Sequence, residues 1–197
     1  MDTSASSAAS QAGAAPADDT PPQRCIGWPE RAPEVGARPI DPAEGAALFA
    51  EVWHREPHVL PLDAEELARL SRWAQFVEVP PGRTLIRQDE FGDYLVMVLE
   101  GTLAVARSNA AGGSTRLAEA RPGDMLGEMS LLDAGSRFSV VTTLSTSRLA
   151  VLQAEPFRRM MRDEPRIALA LMAALSRRLS LRVRQLGARL GALLSST

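Results

Sequence analysis

The spacing of apolar residues changes along this chain of 197 residues, and each spacing predicts a different kind of element. Between Asp41 and Arg55 the apolar positions group on one side of a helix. A second helix is predicted from about Ala64 to Trp73, because Asp63 and Glu66 have the three-residue spacing of a capping box. The pattern therefore predicts a helical region over residues 41–75.

From Val77 to about Gln153 the helical spacing gives way to short runs of β-branched and aliphatic residues, which Gly, Pro, Asn and Asp divide. The clearest runs are Thr84–Arg87, Tyr94–Leu99, Thr102–Arg107 and Leu149–Gln153. The segment 108–113, rich in Asn and Gly, predicts a hairpin loop. Many short strands in succession predict a sandwich or small barrel over residues 76–154.

The region 155–197 returns to helical spacing. Pro156 is predicted to open a short helix, and Pro165 a long one that runs to about Leu194. Apolar and small residues recur on the long helix at alternating steps of four and three: Met172, Ser176, Leu179, Val183, Leu186, Leu190 and Leu193. This spacing is typical of a coiled-coil seam, and it predicts a homodimer through residues 172–193. The alternative, a helix packed on its own domain, is expected for residues 167–175.

Residues 1–40 are rich in Ala, Ser, Pro and Gly and have almost no periodic apolar positions. Such a segment buries too little apolar surface to offset the entropy of ordering it. The composition therefore predicts a disordered tail over 1–40, and docking of Ile26 and Trp28 onto the folded part of the chain is the alternative.

Charge and cysteine content exclude several classes of protein. With 24 acidic and 22 basic residues, the net charge of −2 gives no global field that attracts nucleic acid. Nine of the arginines follow Pro156, and we interpret them as a solvated face beside the apolar seam; no direct DNA binding is expected. Cys25 is the single cysteine, which excludes an internal disulfide. Neither a membrane helix nor a signal peptide is predicted, so we expect a cytoplasmic protein.

The residues that enzymes use are sparse. The two histidines, His54 and His58, both precede the strand-rich region, and Pro57 between them argues against a shared helical face that could hold a metal. We expect each histidine to have a helix-end or surface role. No serine or cysteine has the sequence context of a nucleophile, so no enzyme activity, metal or cofactor is predicted.

The most informative segment is 127–137. Gly127 allows close backbone approach to a ligand, and a helix that starts at Met129 would direct unpaired N–H groups towards an anion. Glu128 is an acceptor suited to a sugar hydroxyl, and Arg137 offers a planar fork of donors for a phosphate. Together these groups can bind both halves of a ribose cyclic phosphate.

This segment resembles the phosphate-binding cassette of the cyclic nucleotide-binding domains found in bacterial cyclic-AMP receptor-type regulators and eukaryotic kinase regulatory subunits. The flanking segments 80–86, 93–101 and 122–127 resemble that family as well, and the likeness covers roughly residues 65–185. The resemblance implies an α+β, mainly β fold. This would be a cyclic nucleotide-binding β-roll (a double-stranded jelly roll), flanked by N-terminal helices and a long C-terminal helix, with the cassette at 127–139.

The resemblance also implies a role for each cassette residue. Gly127 and the N–H groups of Met129 and Ser130 would meet the phosphate, with Arg137 on its equatorial oxygen. Glu128 would accept from the ribose 2′-OH.

Four further positions complete the implied site. Phe138 stands where the family has a small residue, and Ser139 would supply the hydroxyl in its place. Arg182 is the candidate contact to the base. Asp89 stands where a glycine is usual.

Two hypotheses of different classes follow. In the first, the protein is a sensor that binds cyclic AMP or cyclic GMP and signals through its C-terminal dimer helix to an unknown partner protein. In the second, the domain is a ligand-free dimerisation or docking module in which Glu128 and Arg137 pair with each other. The few residues after Leu190 predict no helix-turn-helix, so a stand-alone domain is expected in either case.

Overall fold

Two antiparallel sheets pack face to face, and helices cover the outer face of one of them. The computed structural model describes residues 24–109 and 113–195. The helices are α1 (Trp28–Glu34), α2 (Pro42–His54), α3 (Ala64–Ser71), α4 (Glu128–Asp133), α5 (Ala154–Asp163) and α6 (Pro165–Ser195). The strands are β1 (Cys25–Ile26), β2 (Arg38–Pro39), β3 (Gln75–Val79), β4 (Thr84–Ile86), β5 (Phe91–Gly92), β6 (Tyr94–Glu100), β7 (Leu103–Ser108), β8 (Ser114–Ala120), β9 (Met125–Leu126), β10 (Val140–Thr143) and β11 (Ser147–Gln153). The predicted α+β, mainly β architecture is confirmed.

The strands form two main sheets and one short pair. The larger sheet has the order β2-β3-β11-β6-β9, and the smaller has the order β4-β10-β7-β8. β1 pairs separately with β5 in a parallel arrangement. β7 and β8 form an antiparallel hairpin in which Leu103 lies opposite Ala120. Within the predicted hairpin loop, residues 110–112 lie outside the described residues.

Strand β6 is buried on both faces, which explains its continuous run of apolar residues. Val96 and Val98 point into the core between the two sheets. Leu95, Met97 and Leu99 alternate with them and pack against the helices. A strand buried on both faces has no position for a polar side chain, so the usual alternation of apolar and polar residues disappears.

The two predicted N-terminal helices are present, and α3 begins after the predicted cap, Asp63. Asp41 accepts from the backbone N–H of Ala43 at 2.9 Å at the start of α2. The capping box of α3 is complete: Asp63 Oδ1 accepts from Glu66 N at 2.8 Å, and Glu66 Oε2 accepts from Asp63 N at 3.1 Å. Helix α3 ends at Ser71, two residues earlier than the predicted end at Trp73.

Residues 24–40 are folded, and for them the predicted disordered tail is wrong. They contain β1, α1 and β2, and Trp28 is only 2% exposed. The physical reason is a long-range contact that composition does not reveal: the Trp28 ring packs edge-on against Tyr94, with centroids 5.3 Å apart. The rest of that prediction, for residues 1–23, lies outside the described residues.

The C-terminal helices follow the prediction with one shift. Helix α5 begins at Ala154, two residues before Pro156. Pro156 therefore lies in the first turn, where the N–H that proline lacks would have no intrahelical acceptor. Helix α6 begins at Pro165, as predicted. Its first turns pack into the core, as expected for residues 167–175, through Ile167, Ala168, Ala170, Leu171, Ala174 and Leu175.

The distal part of α6 leaves the body of the domain. Met172 still packs against the core, so this residue of the predicted seam is used within the chain. Further along, Val183, Leu186 and Leu190 are more than half exposed. Although α6 has 31 residues, no helix in the described part of the chain is long and apolar enough to cross a membrane.

Candidate functional site

Gly127 connects β9 to α4 and has two reasons to be glycine. Its φ of 81° lies in the left-handed region, which side chains disfavour. A Cβ at this position would lie 2.5 Å from Arg137 Nη1 and 3.0 Å from the carbonyl oxygen of Tyr94. Helix α4 starts at Glu128, one residue before the predicted start at Met129. The sharp turn therefore brings the predicted cassette glycine against the predicted phosphate arginine.

The side chain of Arg137 is buried and is held by backbone carbonyls. Its Nη1 donates to Gly127 O at 2.8 Å and its Nη2 donates to Tyr94 O at 2.7 Å. The guanidinium also lies over the Tyr94 ring, 4.6 Å from its centroid. Burial lowers the pKa of Arg137 below its ordinary value, although an arginine remains cationic in proteins. The result is a fixed, desolvated positive charge.

No carboxylate in the described part of the chain forms an ion pair with Arg137. Glu128, which is 4% exposed, instead accepts from Arg182 Nη1 at 3.1 Å. The structure therefore does not show the Glu128–Arg137 pair of the ligand-free hypothesis. The structure instead brings Arg182 of α6 to the Glu128 carboxylate. Three predicted site residues, Gly127, Glu128 and Arg182, therefore lie together.

Burial is also the main influence on Glu128. It raises the pKa of the Glu128 carboxyl, and the nearby Arg182 guanidinium opposes this effect without cancelling it. Arg182 is 44% exposed, so water screens its charge. The site thus contains a buried acceptor and a buried cation, with a solvated arginine at its edge.

The remaining cassette residues occupy different environments. Ser130 is buried and Met129 is 40% exposed, whereas Ser139 is partly buried. Phe138 is half exposed, and Arg107 lies over its ring with Cζ 4.0 Å from the centroid. Arg107 Nη1 also donates to Phe138 O at 2.6 Å. The Phe138 ring is therefore held at the surface by Arg107.

The turn before β5 keeps its shape without the glycine that the resemblance leads one to expect. Asp89 adopts a φ of 65°, in the left-handed region that aspartate tolerates better than most side chains. Its backbone N–H donates to Arg137 O at 2.8 Å, and Arg137 N donates to Glu90 O at 2.7 Å. The turn therefore fixes the backbone of Arg137.

Two residues of the site were missed by sequence reasoning. Tyr94 supplies both a carbonyl and a ring to Arg137. Gly92 leaves room for the guanidinium, since a Cβ there would lie 2.6 Å from Arg137 Nη2. A glycine two residues before the long apolar strand was the available signal for this close approach.

Features away from the site have other roles. His54 Nδ1 lies 2.7 Å from Ala50 O, and His58 Nε2 lies 2.6 Å from Trp53 O, so both histidines contact helix-end carbonyls as expected. Within residues 24–109 and 113–195, no cluster of His, Cys, Asp and Glu could hold a metal. A groove of about 710 Å³ beside Ile40, Ala46 and Phe76 includes none of the predicted site residues.

Comparison with known proteins agrees with this geometry. Residues 76–164 match the family described as the cyclic nucleotide-binding domain. A CRP-like cAMP-activated global transcriptional regulator of Mycobacterium tuberculosis is 31% identical over 118 residues, which cover 60% of this chain and 53% of that protein. The cyclic AMP receptor protein of Thermus thermophilus is 34% identical over 100 residues, covering 51% of this chain and 46% of that one. The chain thus spans about half the length of these curated relatives.

Solved structures show the same fold. The N-terminal domain of a transcriptional regulator from Streptomyces coelicolor is 32% identical with a TM-score of 0.58, and the match covers 66% of this chain and 94% of that domain. A cyclic nucleotide-binding domain from Methylobacillus flagellatus reaches a TM-score of 0.74 at 22% identity, covering 84% of this chain and 90% of that one. At that identity the second likeness is evidence for the fold alone.

The raised pKa of Glu128 predicts how stability depends on pH. A raised folded-state pKa means that the carboxyl binds its proton more tightly in the folded protein than in the unfolded chain. This stabilisation is complete below the ordinary glutamate pKa of about 4.3 and is lost as pH rises through the raised value. Glu128→Gln removes the titration. The free energy of unfolding of this variant, relative to wild type, should therefore increase as pH rises from about 4 to about 7.

Urea denaturation of both proteins at a series of pH values measures this difference. Glu65→Gln is the matched control, because Glu65 is exposed in the first turn of α3. A Glu128→Gln difference that stays flat or falls with pH would show that burial does not dominate at this carboxyl.

Proposed function

We propose that this chain, which belongs to the cyclic nucleotide-binding domain family over residues 76–164, binds a cyclic nucleotide between Arg137 and Glu128 and acts as a regulatory module. The observation that carries the proposal is the buried guanidinium of Arg137. It has carbonyl partners and, among the described residues, no carboxylate partner. Only two of its five N–H groups donate to those carbonyls, so donors remain for an anion.

The phosphate is assigned to the cassette. Arg137 would pair with its equatorial oxygen, and Gly127 would let the backbone approach without an intervening side chain. The N–H groups of Met129 and Ser130 would complete the phosphate contacts. Phe138 would contribute its backbone N–H, since Arg107 holds its ring at the surface. Ser139 follows it and would add a hydroxyl donor.

The ribose and the base are assigned to Glu128 and Arg182. The ribose 2′-OH would donate to Glu128, which in this structure accepts from Arg182. Arg182 would then be released to stack on the base, because a guanidinium binds the face of an aromatic ring. An arginine cannot accept a hydrogen bond, so this contact alone selects poorly between purines. Cyclic AMP and cyclic GMP are both candidates, and the names of the two bacterial relatives make cyclic AMP the first to test.

The output is assigned to α6. Arg178 of this helix forms an ion pair with Glu56 at 3.2 Å, and Arg182 reaches the pocket one turn later. Beyond that point Val183, Leu186 and Leu190 present an exposed apolar seam at coiled-coil spacing. A second copy of the chain would cover this seam from Leu179 onward. The dimer would transmit the occupancy of the pocket to a partner protein.

One observation favours a second candidate, a ligand-free docking module. Arg182 already occupies the carboxylate that the ribose would use. In that case Arg182 would be the permanent partner of Glu128, and the domain would act only through its dimer surface.

Replacing Arg137 separates the two candidates. Arg137→Ala removes the guanidinium that would pair with the phosphate of the nucleotide. Loss of one partner of such a buried charge pair costs about 2–5 kcal/mol, so the variant should weaken nucleotide binding by at least about 30-fold. Arg137→Lys keeps the charge and loses the fork, so it should weaken binding less while preserving the fold. Isothermal titration with cyclic AMP and cyclic GMP in parallel measures both effects.

Arg158→Ala is the matched control for these titrations, because Arg158 is exposed on α5 and pairs there with Glu155. It should bind like wild type. A folded wild-type protein that binds neither nucleotide would contradict the proposal and leave a ligand-free module or a pocket for another ligand.

Arg182 should make α6 respond to the ligand. If the ribose displaces Arg182 from Glu128, saturating nucleotide should change hydrogen exchange of residues 156–194 by about 5-fold or more, the lower end of common allosteric coupling. Arg182→Ala should reduce this change. Arg184→Ala, an exposed arginine on the same helix, should leave it intact. Exchange that is indifferent to saturating ligand in wild type would contradict the coupling.

The apolar seam predicts a dimer that charge can break. Each buried leucine contributes about 1.5–3 kcal/mol, so the double variant Leu186→Glu/Leu190→Glu should raise the dimer dissociation constant by at least about 100-fold. Sedimentation velocity over a range of concentrations measures this, and circular dichroism checks the fold. Gln185→Glu is the control for charge on an exposed α6 position off the seam. A wild-type chain that is monomeric at high concentration would exclude the homodimer.

A further inference from the structure

The segment 24–35, named here the N-terminal strap, lies against the phosphate arginine. Its strand β1 pairs in parallel with β5, with Cys25 opposite Phe91 and Ile26 opposite Gly92. At Gly92 an added Cβ would lie 2.6 Å from Arg137 Nη2, so only glycine leaves room for the guanidinium. The strap therefore fixes, from the outside, the short strand on which the guanidinium packs.

A second contact runs through Tyr94. The Trp28 ring of the strap meets the Tyr94 ring at an interplanar angle of 62°, an edge-to-face geometry that aromatic pairs favour. Tyr94 in turn supplies the ring beneath the Arg137 guanidinium and the carbonyl that accepts from its Nη2. The Tyr94 hydroxyl donates to Leu85 O at 2.6 Å, which fixes the ring at its other end. Tyr94 is thus packed between Trp28 and Arg137.

A third contact runs through Glu90. Arg31 of the strap is fully buried, and its guanidinium forms ion pairs with Glu34 at 2.6 Å and with Glu90. The backbone carbonyl of Glu90 accepts from Arg137 N at 2.7 Å. Strap contacts therefore reach the Arg137 site at three neighbours: Glu90, Gly92 and Tyr94.

These contacts matter because Arg137 depends on its surroundings for position. Backbone carbonyls, and no carboxylate among the described residues, hold its guanidinium. If the strap leaves, Tyr94 and β5 lose the packing on one side and water reaches the charge. Water competes with an anion for the donors and weakens the attraction between the two charges.

We propose that the N-terminal strap is a positioning element of the phosphate site: it holds Arg137 in its anion-binding geometry, so that strap docking and anion binding stabilise each other. This inference rests on the proposed function for its ligand. The mutual stabilisation follows from linkage, since a ligand that binds the docked state better must favour docking by the same factor.

The ligand arm of the test uses the full chain with Trp28→Ala. This variant should weaken cyclic nucleotide binding by about 10-fold, equivalent to about 1.4 kcal/mol, and should speed hydrogen exchange of residues 24–35. Trp28→Phe keeps an aromatic edge against Tyr94 and should restore most of the affinity. In wild type, saturating nucleotide should slow exchange of the strap by up to the same factor.

Trp73→Ala is the matched control. Trp73 contacts Arg159 of α5 and Glu164, which follows α5, so its loss should destabilise the fold without removing a strap contact. It should leave nucleotide affinity unchanged in the folded protein. Equal affinities for Trp28→Ala and wild type, together with strap exchange that ignores the ligand, would overturn the proposal.

A ligand-free arm keeps this test separate from the proposed function. Arg137→Lys loses the bidentate contact to Gly127 and Tyr94, so strap exchange should speed up in the absence of any nucleotide. If wild type binds neither cyclic nucleotide, the proposed function fails, but this measurement still tests whether the strap and Arg137 hold each other in place. Unchanged strap exchange in Arg137→Lys would then overturn the positioning role itself.

Discussion

The buried guanidinium of Arg137 is the constraint around which the site is arranged. A desolvated cation is costly unless hydrogen-bond acceptors surround it, and here the acceptors are the carbonyls of Gly127 and Tyr94. Those carbonyls can approach only because two neighbouring positions lack a side chain. A Cβ at Gly92 or Gly127 would lie within 2.6 Å of the guanidinium nitrogens. The turns around the cassette therefore follow from the need to enclose one charge.

Helix α6 runs from the core, past Glu128, to the exposed apolar seam. Its first turns are part of the core, its middle pairs Arg178 with Glu56 and Arg182 with Glu128, and its far end carries the exposed apolar seam. A continuous helix transmits displacement along its axis because each turn is bonded to the next. A change in the partner of Glu128 therefore acts on the same rigid element that bears the seam, with no further domain needed between them.

Local signals in the sequence predicted the elements well, and long-range contacts were the part that sequence could not supply. The capping box of Asp63 and Glu66 and the start of α6 at Pro165 depend on residues a few positions apart, and both were predicted. Folding of residues 24–40 depends on Trp28 meeting Tyr94, so composition alone gave the wrong result. In the same way the cassette pattern identified Glu128 as an acceptor, whereas its partner, Arg182, comes from another helix.

Two positions depart from the family pattern, and the local structure accommodates each of them. Asp89 replaces a glycine at a left-handed turn, and aspartate tolerates that conformation. Phe138 replaces a small residue, and Arg107 holds its ring at the surface. Each substitution is thus accommodated by its immediate neighbours. Gly127 is different, because a Cβ there would lie 2.5 Å from the Arg137 guanidinium and 3.0 Å from the carbonyl oxygen of Tyr94. Where the enclosure of the Arg137 guanidinium leaves no space for a Cβ, the residue is glycine.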